Sequence, residues 1–520
     1  MDPLKALPAE IVLRILEFAT ISSVASLTQL TCNWHGFIDH THQDSIYASH
    51  RKTNYPFGAK DFSFLDKIES YDRYYEGISS WKDLCKRQTL LDRNWKSGKP
   101  KIKETLLVLE DEKPIWRFRA DLKRRFVICT SEAGGLEVFD VDGKGQLWHH
   151  DYVPPYAHLE YYDGMAVVST LGESLEVWTT DHEGEQRGVF RSIAVLDCPT
   201  TSLRGFHLTK GQLCVVGDDG CGLVYDMNAR PISLRTKLDI PEGAVGHLCQ
   251  GEDVVMYSMG YDGYHFYDKT TGERQGIFRP KDCERLFHIS HARDDLDAVK
   301  PVSRQLVEPY VPFVSPSDHV PDRRSPFQVE RGTLLYRRFE NDIFNDEWGA
   351  GLLSGSLMVG ISREGRVFIC SNWPEVLRDR KLWDRYTSVI ECQSNRANFN
   401  LGGWLSVRDN RILFEILDRV HLVQLNDDGS IPDEHEVEER PSWSWPSSSI
   451  GTQYDSVSLM ALFDDCVMAT STVGMTESYH LTEGNVLIMV VQMISTQSAE
   501  WPNTESVKGL RVLSFAPRLA

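Results

Sequence analysis

The sequence is short of several features that mark large classes of protein. Its eleven cysteines are scattered and odd in number, none forms a C-x-x-C pair, and no N-x-S/T glycosylation site occurs. The disulfide frameworks of secreted proteins need paired cysteines, whereas free thiols are the rule in the reducing interior of the cell. We therefore expect free thiols and a location in the cytoplasm, the nucleus or both.

Long apolar runs and a positive charge balance are also missing. The densest apolar stretch, MDPLKALPAEIVLRILEFAT, is interrupted by Glu10, Arg14 and Glu17, which argues against a transmembrane span and a secretory signal. The 56 Lys and Arg residues against 75 Asp and Glu residues give a net charge of −19. Because nucleic acids and anionic membranes select clustered basic residues, we expect no nucleic-acid partner and no membrane partner.

Motifs of catalysis and cofactor binding are absent too. The sequence has no G-x-S-x-G, Walker A, H-E-x-x-H or G-x-G-x-x-G pattern. The pairs His288/His291 and His40/His42 have the spacing of metal ligands, but no ordered set of cysteines or carboxylates accompanies them. We therefore predict no metal site, no cofactor and no catalytic residue.

What is present begins with a helix that is apolar on two sides. Leu4, Leu7, Ile11, Ile15 and Phe18 follow one helical spacing, while Val12, Leu16 and Ala19 follow another. Ser22 or Ser23 is expected to cap a second helix, Val24 to Thr31, and a third segment carries Trp34, Phe37 and Ile38. Either the extra apolar side packs on the rest of the chain or it binds a partner.

This region resembles an F-box. L-P-A-E-I-V-L-R-I-L, followed by S-S-V-A-S-L-T-Q-L-T-C-N-W-H-G-F-I, is similar to the family pattern over roughly residues 4–45, although Leu30 stands where Val is frequent. In that family the helices dock on the Skp-type adaptor of a cullin–RING ubiquitin ligase. The resemblance implies a set of adaptor-binding residues: Leu7, Pro8, Ile11, Ile15, Leu16, Leu27, Leu30 and Trp34.

A basic linker follows. Residues 81–103 hold eight Lys and Arg and two Asp, and the spacing of Trp81, Leu84, Leu91 and Trp95 predicts a helix with an apolar stripe. Its basic side is either a solvated face or a patch for an acidic partner. The phrase W-K-x-L-C-x-R…L-x-x-N-W-x-x-G resembles the segment that joins F-box and propeller in F-box/WD-repeat proteins.

From about residue 104 a module recurs, made of a short β-branched run, a Gly/Asp/Glu turn and a second strand. Clear copies lie at 126–140, 166–181, 213–226 and 254–268, divergent ones at 357–369 and 412–427, and elements at 459–463 and 485–491 furnish a further one. A period near 40 to 45 residues is typical of a β-propeller, here of about seven blades. The endings VFD, VYD and FYD resemble the W-D dipeptide of WD repeats, and 105–109 is expected to pair with 511–515 and close the ring.

The predicted architecture is therefore an α+β multidomain chain: a small all-α F-box at 1–45, a linker at 46–103 and an all-β propeller at 104–520. The proline-rich stretch 279–328 and the Ser/Pro/Trp-rich stretch 429–458 are expected to be long loops. By resemblance to WD-repeat receptors of phosphorylated targets, the candidate substrate contacts are Arg117, Arg204 and Arg363. The loop tryptophans Trp443 and Trp445 are further candidates, unless they cap a blade.

Three functions fit these observations. The first is the substrate-recognition subunit of an SCF-type ubiquitin ligase, which binds the adaptor and through it a cullin, and which presents a protein target for proteasomal degradation. The second is an F-box scaffold outside ubiquitination. The third is a propeller enzyme whose N-terminal helices are only structural. Co-purification with the adaptor separates the first from the third, and turnover of a target separates the first from the second.

Overall fold

The chain folds into two compact units. The computed structural model describes residues 2–50, 62–97, 103–107, 115–142, 145–171, 174–200, 202–241, 243–291, 325–332, 346–392, 405–416, 419–433, 442–446, 460–481, 487–493 and 504–517. The helical unit comprises Met1–Ile102 with Asp464–Cys466 and Ser514–Ala520, and the β unit comprises Lys103–Phe463 with Val467–Leu513. A small N-terminal helical region is thus followed by a domain built mostly of β-sheets.

The described residues of the helical unit form six short to medium helices. They are α1 (Pro3–Ala6), α2 (Ala9–Glu17), α3 (Ile21–Leu27), α4 (Cys32–His35), α5 (Gln43–Ser49) and α6 (Trp81–Ser97), with a π-helical turn at Gly36–Thr41 and a 3-10 turn at Ser63–Lys67. The predicted second helix is displaced: it begins at Ile21 and ends at Leu27, because the side chain of Thr20, rather than Ser22 or Ser23, accepts the hydrogen bond from the Ser23 backbone N–H. Thr31 caps α4 in the same way, by accepting from the N–H of Trp34.

One apolar core holds these helices together. Val12 and Leu16 of α2 are buried in it with residues of the other helices: Val24, Trp34, Ile38, Ile46, Tyr47 and Cys85. The predicted stripe on α6 is confirmed, because Leu84, Cys85, Leu91 and Trp95 are buried.

The far end of the chain belongs to the helical unit. The Trp95 ring stacks on Phe515 with 3.8 Å between ring centroids, and the side-chain amide of Asn94 donates to the Phe515 carbonyl at 2.9 Å. The buried Asp465 carboxylate accepts hydrogen bonds from the Ser70 hydroxyl and from the backbone N–H groups of Tyr71 and Asp72, at 2.6 to 3.0 Å. Segments almost 400 positions apart are therefore joined by buried polar contacts.

The β unit begins with β1 (Lys103–Leu107) and four consecutive four-stranded antiparallel meanders. These are β2 (Ile115–Asp121), β3 (Phe126–Ser131), β4 (Leu136–Asp140) and β5 (Gln146–His150); β6 (Leu159–Tyr162), β7 (Met165–Ser169), β8 (Ser174–Thr179) and β9 (Arg191–Asp197); β10 (Leu203–Thr209), β11 (Gln212–Gly217), β12 (Cys221–Asp226) and β13 (Ser233–Asp239); β14 (Leu248–Gln250), β15 (Val254–Ser258), β16 (Tyr264–Asp268) and β17 (Arg274–Phe278).

A ten-stranded sheet follows, in which a hairpin joins two further meanders. Its strands are β18 (Leu286–His291), β19 (Ser325–Arg331), β20 (Trp348–Ser354), β21 (Leu357–Ser362), β22 (Arg366–Cys370), β23 (Thr387–Glu391), β24 (Leu405–Arg408), β25 (Arg411–Ile416), β26 (Arg419–Gln424) and β27 (Ser442–Pro446). Helices α7 (Trp373–Arg378) and α8 (Trp383–Tyr386), which the sequence did not predict, lie between β22 and β23. The strand order is β20-β21-β22-β23-β18-β19-β27-β26-β25-β24.

The last sheet contains β28 (Met460–Leu462), β29 (Cys466–Leu481), β30 (Leu487–Met493) and β31 (Thr504–Ser514). Its order is β1-β31-β29-β28, with β30 on β29. The first strand of the β unit therefore pairs with the last one, as the closure prediction requires. Closure of this kind leaves no unpaired strand at the junction of the two chain ends.

Neighbouring sheets meet through their first strands. β2 contacts β6, β6 contacts β10, β10 contacts β14, β14 contacts β20, β20 contacts β24, and β24 contacts β28. Sheets arranged in this way resemble the blades of a β-propeller. The predicted repeats coincide with hairpins of these sheets, from β3–β4 at 126–140 to β25–β26 at 412–427. The blade count of about seven stays a prediction.

Parts of the two stretches expected to be long loops are strands, while 292–324, 434–441 and 447–458 lie outside the described residues, so the loop prediction there stays a prediction. β18 lies within 279–328 and pairs antiparallel with β19, which begins in that stretch and extends to Arg331; β18 also pairs with β23 in parallel. β27, within 429–458, pairs with both β26 and β19. Pro326 lies in β19 opposite Trp443 without ending the strand, which agrees with the tolerance of proline near strand starts.

Candidate functional site

The helical unit presents an apolar surface on α2. Val12 and Leu16, four positions apart, are buried, whereas Ile11 and Ile15, also four apart, are 49% and 52% exposed. Because side chains four positions apart share a helix face, α2 has one face in the core and a second one free of it. We call the exposed set the α2 apolar face: Leu7, Pro8, Ile11, Ile15 and Phe18, of which Phe18 is 77% exposed.

Charged residues lie beside this face and leave most of it exposed. Arg14 forms an ion pair with Glu17, and its guanidinium lies 4.8 Å from the centroid of the Phe18 ring. Glu10 lies in the first turn of α2, where the helix dipole favours a negative charge. Exposed side chains as large as isoleucine and phenylalanine, grouped on one helix face, mark sites of interaction with other molecules.

The predicted adaptor-binding residues fall into two groups. Leu7, Pro8, Ile11 and Ile15 are exposed on the α2 apolar face, and Leu30, which follows α3, is 65% exposed. Leu27 is half-buried against the core. The structure places the other two, Leu16 and Trp34, inside the core, at 2% and 8% exposure, so they support the helices rather than form the surface.

Phe18 was not among the predicted contacts, although the same helical spacing contains it. It follows Ile15 by three positions and Ile11 by seven, which keeps it on the same side of the helix. Sequence periodicity alone was therefore sufficient to find it.

A second candidate site lies in the β unit, where the starts of several first strands meet. Arg119 of β2 forms an ion pair with Glu160 of β6 at 2.6 Å, and Glu160 also contacts His158 Nε2 at 3.1 Å. The His158 ring stacks on Phe206 of β10, with centroids 4.2 Å apart. The backbone of β10 closely approaches the segment before β14, since a Cβ on Gly205 would lie 2.0 Å from the Gly246 carbonyl oxygen. We call Arg117, Arg119, His158, Glu160, His207 and His247 the strand-start cluster.

Burial and positive charge determine the electrostatics of this cluster. Burial, and then repulsion by Arg119, lowers the pKa of Arg117 to about 10. Burial, and then the Arg117 charge, lowers the pKa of His158 and of His247 to about 4. Burial opposes ionisation of Glu160, but Arg119 and the His158 hydrogen bond lower its pKa well below the usual range. At neutral pH the cluster therefore contains two cations, one anion and neutral imidazoles.

The candidate substrate contacts lie in different surroundings, and their role stays a prediction. Arg117 belongs to the strand-start cluster, and Arg204, one residue into β10, is exposed. Arg363, in the turn between β21 and β22, forms an ion pair with Glu347 at 3.2 Å. Trp443 and Trp445 lie in the paired strand β27 and not in a loop; Trp443 is half-buried.

Exposed aromatic and apolar residues lie at the same end of the sheets. In an antiparallel meander, the start of the first strand, the turn between the second and third strands and the end of the fourth share one edge. Tyr152 and Tyr156 lie between β5 and β6, Leu171 lies between β7 and β8, and Tyr261 lies between β15 and β16; all four are exposed. Tyr156 packs edge-on against Trp116, with ring centroids 5.1 Å apart.

The described residues contain neither a metal-binding cluster nor a membrane-spanning helix. Among the described residues, no group of three or more His, Cys, Asp or Glu side chains is arranged to hold a metal ion. Within the same part of the chain, no helix combines the length and the apolarity needed to span a bilayer. The histidines at 40 and 42 lie in the π-helical turn and directly after it.

Comparisons with known proteins give a likeness at the level of the fold. No protein-family model matches the chain, and no curated protein matches it. The solved WD40 repeats of RRP9 are 8% identical, with 79% of this chain and 97% of that chain covered and a TM-score of 0.42. BamB from Moraxella catarrhalis is 12% identical, with 79% and 97% covered and a TM-score of 0.38. The computationally designed Ika8 protein is 11% identical, with 75% and 99% covered and a TM-score of 0.41. At such scores the likeness carries no argument, and the fold rests on the strand order, which shows a mostly β domain of several sheets.

Proposed function

We propose that this protein is the substrate-recognition subunit of an SCF-type ubiquitin ligase. The helical unit binds a Skp-type adaptor and through it a cullin, and the β unit binds a protein target. The observation that carries the proposal is the α2 apolar face: Leu7, Ile11 and Ile15, which match the F-box pattern, are exposed while their neighbours Val12 and Leu16 build the core.

The geometry suits a helix-face contact with another protein. Apolar anchors at Leu7, Ile11, Ile15 and Phe18 follow the spacing i, i+4, i+8 and i+11, which places them along one side of α2 and its lead-in. Truncation of one such anchor at the centre of an interface costs about 2 kcal/mol or more of binding free energy. Leu30 extends the exposed surface beyond α2.

No bond-making chemistry is assigned to the protein itself. Its contribution to ubiquitin transfer is to hold a target lysine near a charged ubiquitin carrier, which raises the effective concentration of the two reactants. Such a role needs two binding surfaces and no catalytic group, cofactor or metal. The proposed location is the cytoplasm or nucleus, a reducing compartment in which all eleven cysteines stay free, as they are in the structure.

The test is direct binding of the full chain to a purified Skp-type adaptor–cullin complex, measured by interferometry. We expect the Ile11→Glu/Ile15→Glu variant to lose binding, because it places two carboxylates in an apolar contact. Lys86→Glu is the matched control, since Lys86 is exposed on α6 of the same unit. Wild-type affinity in the double variant, together with unchanged circular dichroism, would refute the assignment of this face.

Ubiquitination is tested separately from adaptor binding. The reconstituted ligase is incubated with cell extract, and proteins that gain ubiquitin with the wild-type chain but not with Ile11→Glu/Ile15→Glu are identified by mass spectrometry. A chain that binds the adaptor yet causes no such gain supports the scaffold function instead.

A further inference from the structure

One arginine in the strand-start cluster lacks a partner for a buried donor. The Nε atom of Arg117 is buried, and in the described part of the chain no acceptor lies within hydrogen-bond distance of it. The Nδ1 atom of His207, on β10, is buried and without a partner in the same way. Proteins pair nearly all buried polar atoms, and an unpaired donor on a charged group is especially costly.

The surrounding charges do not relieve this cost. Glu160 is the acid that interacts with Arg117, but its carboxylate already accepts from Arg119 and contacts His158. Arg119 adds a second positive charge that repels Arg117. A negatively charged group from outside would offset the charge of the Arg117 guanidinium, whose Nε has no partner, and the repulsion between the two arginines.

The position of Arg117 makes such a group accessible. Arg117 is the third residue of β2, at the edge where the starts of the first strands meet, and its side chain is only partly exposed. Next to it, Trp116 and the exposed Tyr156 pack together, and the exposed Tyr152 lies on the same connection between β5 and β6. An apolar aromatic rim beside one buried cation fits a peptide that carries a single acidic side chain among apolar residues.

The kind of anion follows from how many of the candidate arginines are already engaged in ion pairs. A phosphate dianion is held best by several cations, but Arg119 is engaged by Glu160 and Arg363 by Glu347. One guanidinium presents two parallel N–H groups, which match the two oxygens of a carboxylate.

We propose that Arg117 binds the carboxylate of an aspartate or glutamate side chain in a protein target, with the flanking apolar residues of that target on Trp116, Tyr152 and Tyr156. This inference rests on the proposed function, in that it takes the β unit to be the target-binding part of the chain. It assigns to this unit an unphosphorylated acidic peptide as ligand class.

The probe is an array of short immobilised peptides, each with a central glutamate between varied apolar residues, incubated with the full chain. Each peptide is also made with glutamine and with phosphoserine in place of the central glutamate. We expect some glutamate peptides to bind at least about tenfold more tightly than their glutamine versions. We expect Arg117→Gln to abolish that difference. Arg235→Gln, which changes an exposed arginine on β13 of the same unit, is the matched control and is expected to keep it.

A stability measurement distinguishes binding from a structural role. Because Arg117→Met removes an unpaired buried charge, its thermal midpoint is expected to equal or exceed that of the wild type. Four results would each overturn the proposal. Three are binding results: equal binding of glutamate and glutamine peptides, a preference for phosphoserine, or unchanged selectivity in Arg117→Gln. The fourth is a large loss of stability in Arg117→Met. Adaptor binding of the wild-type chain is measured in parallel. Absence of adaptor binding refutes the ligase function, whereas glutamate selectivity without adaptor binding leaves the carboxylate site standing.

Discussion

Replacement of Phe515 by alanine tests whether the end of the chain stabilises the helical unit. The Phe515 side chain is 3% exposed and stacks on Trp95, which is 1% exposed. Alanine removes the whole ring but leaves the backbone contacts in place: the Phe515 carbonyl still accepts from Asn94, and its N–H still donates to the Asp465 carbonyl at 2.7 Å. The change therefore isolates the contribution of the aromatic pair.

The expected loss follows from burial and ring packing. Phe→Ala substitutions at buried sites cost about 3 to 5 kcal/mol of unfolding free energy, including the cavity term, and about 0.5 to 1.5 kcal/mol of the total comes from the geometry of an aromatic pair. Since about 1.4 kcal/mol corresponds to a factor of ten in an equilibrium constant, opening of α6 should become roughly a hundred to several thousand times more frequent.

Native-state hydrogen exchange, followed by mass spectrometry on peptides from α6, measures this opening. Pro517→Ala is the control, because residue 517 is only half-buried and lies two positions further on. We expect Phe515→Ala to accelerate exchange in α6 and Pro517→Ala to leave it near the wild-type rate. If α6 amides in Phe515→Ala exchange within a factor of ten of the wild type, the stacked pair contributes little and the reasoning is wrong.

Two further predictions concern α2 and the strand-start cluster. Leu16→Ala should lower the unfolding free energy by about 2 to 5 kcal/mol, because Leu16 is buried, whereas Ile15→Ala should change it little and weaken adaptor binding instead; urea denaturation and interferometry on both variants measure the contrast. The pKa of His158 is lowered to about 4 from its ordinary value of 6.5, so the unfolded chain takes up the proton first as the pH falls. The stabilising contribution of neutral His158 is therefore complete above pH 6.5 and is lost toward pH 4, at about 1.4 kcal/mol per pH unit. His158→Gln should flatten the unfolding free energy over that interval relative to wild type, and an identical pH profile in the two proteins would contradict it.

The helical unit shows which structural features helical periodicity can predict from the sequence. The two apolar sets on α2, and the stripe on α6, are visible in the sequence because a helix repeats every 3.6 residues. The pattern did not say which set faces the core. That decision depends on Val24, Ile38 and Ile46, which close over Val12 and Leu16 and leave Ile11 and Ile15 outside.

In the β unit, too, some features could be predicted from the sequence and others could not. Each hairpin could be predicted from a short β-branched run, a Gly- or Asp-containing turn and a second run, because all its hydrogen bonds are local. The parallel pairing of β18 with β23 and the placement of β27 beside β19 could not be predicted, since they join strands that the predicted long loops separate.

The sequence by itself determined the class of each unit, the positions of the hairpins, the pairing of the first strand with the last, and the apolar residues of α2. Only the tertiary structure decided which of those residues are exposed, which arginines have partners, and that Ser70 and Asp465 meet in one hydrogen bond. The physical reason is the separation along the chain between the residues that interact. Periodicity, capping and turn geometry act over a few residues, whereas burial and charge pairing depend on atoms that the fold brings together from distant parts of the chain, such as Glu160 beside Arg119 and Glu347 beside Arg363.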